Sequence, residues 1–293
     1  MSEPRSHFVD VRGLKIHYLE WGERYGKPVI LLHGWRDHAR SWTYFVSALR
    51  KKSNNPQWII APDCRGHGDS NWVGAGGYYH FPDYIHDLDC IIQPLQVASV
   101  TLVGHSMGGT ISFFYAGTFP QRVRKLVLIE GIGPLGMSFS DAPVRMEKFI
   151  SDMRAIREAT TVDYDSFEYA SLEDGAERLR RSNPRLNADR ALELTRWGMQ
   201  QTENGKWVWK FDPLHRTTSP QPFYSEQAIE FYRRIDCPVL IISGKDSRQT
   251  PRPDMQWRLQ AIRDYKHVEI ERAGHMVHQD SPDDLAEEIL KFI

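Results

Sequence analysis

Val100-Thr-Leu-Val-Gly104-His105-Ser106-Met107-Gly108-Gly109 is an apolar run ending in a serine bracketed by glycines. Val100 to Val103 is short and apolar, which predicts a buried strand, and Met107 to Phe119 predicts a helix. The junction is G-x-S-x-G in the strand-to-helix setting that gives this pattern its meaning. A serine on so tight a turn needs glycine at its close neighbours. The turn lifts the hydroxyl above the sheet edge, at a helix N-terminus whose free N–H groups and positive dipole end favour a developing oxyanion. Ser106 is therefore the candidate nucleophile, with the N–H of Met107 a candidate oxyanion donor.

Outward from this junction the first 130 residues alternate strand-like and helix-like segments. Residues 7–11 and 14–20 predict two strands joined at Arg12-Gly13, and 28–32 and 58–61 predict short buried strands. Residues 40–51 predict a helix with Trp42, Phe45 and Leu49 on one face, and 81–95 another with Tyr84, Leu88, Ile91, Ile92 and Leu95. Residues 125–129 predict a further strand. Short apolar runs between amphipathic helices mean βαβ units and a mainly parallel sheet. From about 135 the chain turns polar and helix-prone, with helices expected at 143–157, 172–181 and 188–201 and a small hairpin across Asn204-Gly205 over 199–211. The α/β rhythm returns with strands at 238–243 and 268–270 and helices at 254–264 and 282–293. The expected organisation is an α/β core over 1–134 and 236–293, interrupted by a mostly helical insertion over 135–235. The aromatics Trp197, Trp207, Trp209, Phe211, Phe223 and Tyr224 are candidate apolar lining of a pocket, and the Arg and Glu of 173–196 read as a solvated helix face.

Composition excludes several classes. Among 293 residues, 37 Lys and Arg balance 38 Asp and Glu, so no basic excess points to nucleic acid. No apolar run reaches the ~18–20 residues of a membrane span, and the start has no signal-like apolar stretch. Cys64, Cys90 and Cys237 are an odd number without metal-type spacing, which suits a reducing compartment; the cytoplasm is the expected location. The chain ends on Lys-Phe-Ile, not Ser-Lys-Leu, and stops within a predicted helix, as a truncated end would.

A serine nucleophile needs a base, an acid and an oxyanion site. His275, in Ala273-Gly274-His275-Met276-Val277-His278, follows the last strand and is the candidate base; His278 reads as a loop-shaping neighbour. Pro28 to Leu32 runs into His33-Gly34-Trp35, a loop that offers the N–H of Trp35 as the second oxyanion donor. Two carboxylates end strands between nucleophile and base: Glu130 after Lys125-Leu-Val-Leu-Ile129, and Asp246 after Val239-Leu-Ile-Ile-Ser243-Gly-Lys245. Chain order does not separate them.

Together His33-Gly34-Trp35, Asp63-Cys-Arg65-Gly66-His67-Gly68-Asp69-Ser70, the Ser106 turn and Gly274-His275 resemble the α/β-hydrolase superfamily over residues 8–132 and 236–293. His33 to Trp42 and Leu128-Ile-Glu-Gly-Ile-Gly-Pro134 look like the serine hydrolase-like protein group, and Lys206-Trp-Val-Trp-Lys-Phe-Asp-Pro213 is similar to that group's cap. The resemblance implies an α/β-hydrolase fold, with 135–235 as cap domain, and makes the Asp63 segment a structural loop. Most members of the superfamily carry the acid in a Gly-x-x-Asp turn. Counted from Gly244 that position is Ser247, one past Asp246. A branch that includes some haloalkane dehalogenases carries a Glu after the preceding core strand, which matches Glu130. The resemblance thus prefers Glu130, with Asp246 the alternative.

The expected reaction is cleavage of a carboxylic ester, thioester or lactone through an acyl-enzyme. The substrate would be a small acyl compound, and the chemistry calls for no metal or organic cofactor. Serine in place of the aspartate that dehalogenases and epoxide hydrolases use favours acyl transfer. The same fold also carries C–C bond hydrolases, cofactor-free oxygenases and small-molecule receptors that retain a hydrolase site.

Overall fold

Alternation within single strands sorts the interior into two apolar layers. Ile30, Leu32, Leu102, Leu126, Leu128 and Ile241 fall in one buried cluster, while their neighbours Val29, Leu31, Val103, Val127, Ile129, Leu240 and Ile242 fall in another. A strand sends successive side chains to opposite faces, so a sheet covered on both sides must be apolar at every position. The computed structural model describes residues 3–53, 57–158, 168–249 and 254–293. Its eight-stranded sheet has the order β1-β2-β4-β3-β5-β6-β9-β10, with β1 Arg5–Val11, β2 Leu14–Trp21, β3 Val29–Leu32, β4 Ile59–Pro62, β5 Val100–His105, β6 Val123–Ile129, β9 Val239–Gly244 and β10 Tyr265–Ile270. β2 pairs antiparallel with both β1 and β4, and the pairs from β4 to β10 are parallel.

On one face α1 (Thr43–Lys52) and α10 (Pro282–Phe292) bury Phe45, Leu49, Leu285 and Ile289. On the other, α2 (Phe81–Ile92) and α3 (Met107–Thr118) bury Leu88, Ile91, Ile111 and Phe113. The insertion holds α4 (Ala142–Glu158), α5 (Leu172–Ser182), α6 (Ala188–Gly198) and a hairpin of β7 (Met199–Gln201) and β8 (Trp207–Trp209). Ser171 and Asp174 form a capping box at the start of α5, and Asn187 caps α6. A small apolar cluster of Ala176, Leu186, Ala191 and Leu194 joins these two helices.

Some expectations need correction. The helix expected over 188–201 stops at Gly198, because 199–201 pair across the hairpin instead. The helix expected over 254–264 is α8 (Met255–Leu259) alone. Two helices were not foreseen: α9 (Val277–Asp280) and α7 (Ser225–Arg234). α7 lies inside the span expected to be insertion, yet Ala228, Ile229 and Tyr232 belong to the core layer around α3. Its buried apolar face is only Ala228, Ile229 and Tyr232, set among the exposed Glu226, Glu230, Arg233 and Arg234, so the segment reads as polar along the chain.

Candidate active site

β5 delivers Ser106 to the sheet edge in a rare backbone conformation, φ +50° and ψ −111°, and α3 begins one residue later. The close approach demands glycine nearby. A Cβ on Gly108 would stand 2.1 Å from the Leu32 carbonyl oxygen, and one on Gly104 would stand 2.3 Å from that of Gly108. Met107 opens α3, so its N–H has no intrahelical acceptor. β3 ends beside this turn, and its loop carries Trp35, whose indole N–H donates to the His215 carbonyl at 3.0 Å.

β6 ends at Ile129, and Glu130 takes φ +51° at the same sheet edge. Its Oε2 lies 3.2 Å from His275 Nδ1 and accepts from the Ser247 hydroxyl at 2.7 Å; its Oε1 accepts from the Gly244 N–H at 2.9 Å. Ser247 occupies the position where the resemblance places the acid of most members. Burial pushes the Glu130 carboxyl up, but the bonds from His275, Ser247 and Gly244 outweigh it and hold the group below its ordinary value. Asp246 lies elsewhere: half exposed, it pairs with Arg185 Nη2 at 3.0 Å. Ser106 and His275 are partly accessible.

Behind His275 lies a group of side chains that sequence reasoning did not assemble. The His275 carbonyl is 2.8 Å from His105 Nε2. Burial, with His278 and His275 alongside, pushes His105 well below its ordinary value and keeps it neutral. Asp37, His105 and His278 bring ligand atoms within 4.8 Å of one another, as do His17, Asp63 and Asp69. The sequence showed no metal-type spacing because these residues come from elements far apart in the chain, among them β2, β5 and α9. In the second group His17 Nδ1 is 2.6 Å from Asp63, whose carboxylate also accepts from the Ala39 and Asp69 N–H groups, so it works as a loop anchor. Arg65 makes a two-pronged pair with Asp87, both contacts 2.6 Å, which fits the structural role expected of this loop.

A cleft of about 600 Å³ opens at His275 and Trp35. Trp209 and Phe211 line it as expected, but Trp197, Trp207, Phe223 and Tyr224 do not. Phe223 packs toward Phe114, and Tyr224 against Phe139. The Arg and Glu of 173–196 do form a largely exposed helix face, on which Glu177 pairs with Arg180 and Arg181, and the exposed Arg178 also lines the cleft. The 207–216 segment is fastened over the site by a bridge between Phe211 and His67, by Asp212 N–H to the Gly66 carbonyl at 2.9 Å, and by Tyr79 to the Asp212 carboxylate at 2.7 Å.

Residues 27–282 match the α/β-hydrolase fold family. The chain belongs to that family. It is 26% identical to a serine hydrolase-like protein of Danio rerio over 93% of this chain and 83% of that protein. Among solved structures, the hypothetical protein PA1622 from Pseudomonas aeruginosa PAO1 superposes with a TM-score of 0.83 at 26% identity, covering 99% of this chain and 97% of that one. A thioesterase domain from the curacin biosynthetic pathway superposes with a TM-score of 0.83 at 24% identity, covering 99% of this chain and 100% of that one, a likeness of fold. In this α/β-hydrolase no described helix is long and apolar enough to cross a membrane.

Proposed function

We propose that the protein is a serine hydrolase that cleaves a carboxylic ester, thioester or lactone. Ser106 is the nucleophile, His275 the base and Glu130 the acid, with the N–H groups of Trp35 and Met107 as the oxyanion hole. The observation that carries this reading is the His275 Nδ1 to Glu130 Oε2 contact of 3.2 Å, at the sheet edge that holds the Ser106 turn. A carboxylate there keeps the proton on Nδ1, which leaves Nε2 to accept from the serine. His275 takes the Ser106 proton as Oγ attacks the carbonyl carbon, and returns it to the leaving group as the acyl bond breaks. Water, activated by His275, then releases the acid and restores the serine. The insertion, over 135–235 without α7, is the cap that covers this site.

The test is intact-mass labelling with a fluorophosphonate. Wild type should gain one adduct and Ser106→Ala none. A folded wild type that gains no adduct would overturn the reading in favour of a ligand receptor on the same fold.

A further inference from the structure

The cleft at His275 carries more positive charge than an ester carbonyl needs. Arg36, Arg178 and Arg216 all line it, from three separate parts of the chain. The guanidinium carbons of Arg36 and Arg216 lie 6.0 and 5.3 Å from the centroid of the same Phe211 ring, so the two cations share one aromatic support. Among the described residues neither Arg36 nor Arg178 has a carboxylate within ion-pair distance. Among the described residues the one carboxylate lining the cleft, Asp37, is engaged elsewhere: it accepts from the Ser41 hydroxyl at 2.9 Å and faces His278 at 3.5 Å. Arg185 nearby shows the contrast, since Asp246 neutralises it.

Holding the guanidinium groups together is unfavourable by itself. Burial and then Arg178 lower the proton affinity of Arg36. Burial, then Arg36, with Arg178 adding and Tyr169 opposing, bring Arg216 down to about 10. Arg36 is also held at φ +58°, in the left-handed region, immediately after Trp35. A fold that keeps like charges converging in a reaction cleft is arranged for an anion that joins them. Guanidinium groups match planar or tetrahedral oxyanions in particular.

We infer that Arg36, Arg178 and Arg216 form an oxyanion subsite, so the ester or thioester cleaved here carries a carboxylate or phosphate group. For the chemistry this rests on the serine-hydrolase reading; for the binding it does not. The cleft volume suits a small compound that spans from His275 to the arginines.

The test pairs 4-nitrophenyl hydrogen glutarate, which is anionic, with neutral 4-nitrophenyl pentanoate. Wild type should favour the anionic ester in kcat/KM by about tenfold, and added salt should erode the preference. Arg216→Gln and Arg178→Gln should each lower the anionic-to-neutral ratio by about tenfold, Arg216→Lys should keep part of it, and Arg185→Gln should leave it unchanged. If Arg216→Gln does not fold, exposed Arg178→Gln decides. Glutarate and inorganic phosphate are also titrated against wild type by thermal shift at millimolar concentration. The anion that raises Tm, through an effect lost in the arginine variants, identifies the class. A ratio at or below one with no anion binding, or a ratio indifferent to the arginines, overturns the subsite. Turnover of neither ester counts against the hydrolase reading alone, because anion binding still decides the subsite.

Discussion

Three residues around the candidate site occupy a backbone region that non-glycine residues rarely adopt. Arg36, Ser106 and Glu130 have φ of +58°, +50° and +51°. Such conformations cost roughly 1–3 kcal/mol each and persist where surrounding contacts over-determine them. For Glu130 those contacts are its own N–H to the Ile242 carbonyl at 2.8 Å and the bonds its carboxylate accepts from Gly244 and Ser247. Glu130→Gln should keep the fold but lose the anion that orients His275 and stabilises its charged form. Its kcat on a 4-nitrophenyl ester should fall by about 10³–10⁴-fold, by analogy with the acid of serine proteases. Asp246→Asn, which breaks only the half-exposed pair with Arg185, should stay within about twofold of wild type; a large loss there would move the acid to Asp246. The Ser247→Ala variant removes one of the bonds that lower the Glu130 proton affinity. It should raise the pH at which the Glu130 carboxyl takes up its proton, because a less stabilised carboxylate protonates more readily, read by carboxyl 13C NMR titration against wild type.

Elements position these residues through close backbone contact more than through side-chain packing. α3 sits against β3 and β5 at a separation only glycine allows, and its interior positions from Met107 to Gly117 are all buried. Gly108→Ala would drive a methyl into the Leu32 carbonyl, backbone on both sides, so neither element can yield. The expected result is loss of soluble folded protein or a fall in Tm well beyond 10 °C, read by circular dichroism. The 207–216 segment is held by two backbone contacts, Phe211 with His67 and Asp212 with Gly66, and by one buried side-chain bond. Tyr79→Phe removes the bond to the Asp212 carboxylate and leaves that buried acceptor short of a partner, at a cost of about 1–3 kcal/mol. Limited proteolysis should then cut first between β8 and α7, where wild type resists.

Across the whole molecule the charge is nearly balanced, so individual networks set its pH dependence more than its net charge does. The clearest lies at the antiparallel edge, far from Ser106. Glu20 on β2 is almost fully buried and accepts from Arg24 at 2.6 and 2.9 Å and from the Trp58 indole at 2.8 Å. Burial raises its proton affinity, but the bonds from Arg24 and Trp58 and the charge of Arg5 carry it down to about 2, against 4.5 in an open chain. A carboxylate depressed on folding contributes stability above its unfolded value and loses it as the pH falls through the folded one. Glu20→Gln should therefore lower Tm at pH 7, and the gap to wild type should close between pH 4.5 and 2. A gap that stays constant over that range would show that Glu20 contributes packing alone.

The mainly parallel sheet, the serine turn and the histidine loop were all readable along the chain, because each is a local pattern. Apolar runs of strand length, glycines two residues either side of Ser106, and Gly274-His275 after a strand need no partner to be recognised. The choice between Glu130 and Asp246 was not local. Both end core strands, and their surroundings differ only in the fold, where Ser247 and the Gly244 N–H donate to Glu130 while Arg185 pairs with Asp246. Arg178 is solvent-facing, as helical periodicity implies, but periodicity does not report that its exposed side also borders the cleft. The arginine cluster and the Asp37–His105–His278 group join residues from strands, helices and loops far apart in the chain. Short-range patterns carry the elements; only the folding of those elements onto one sheet edge brings distant charges close enough for Coulomb's law to act between them.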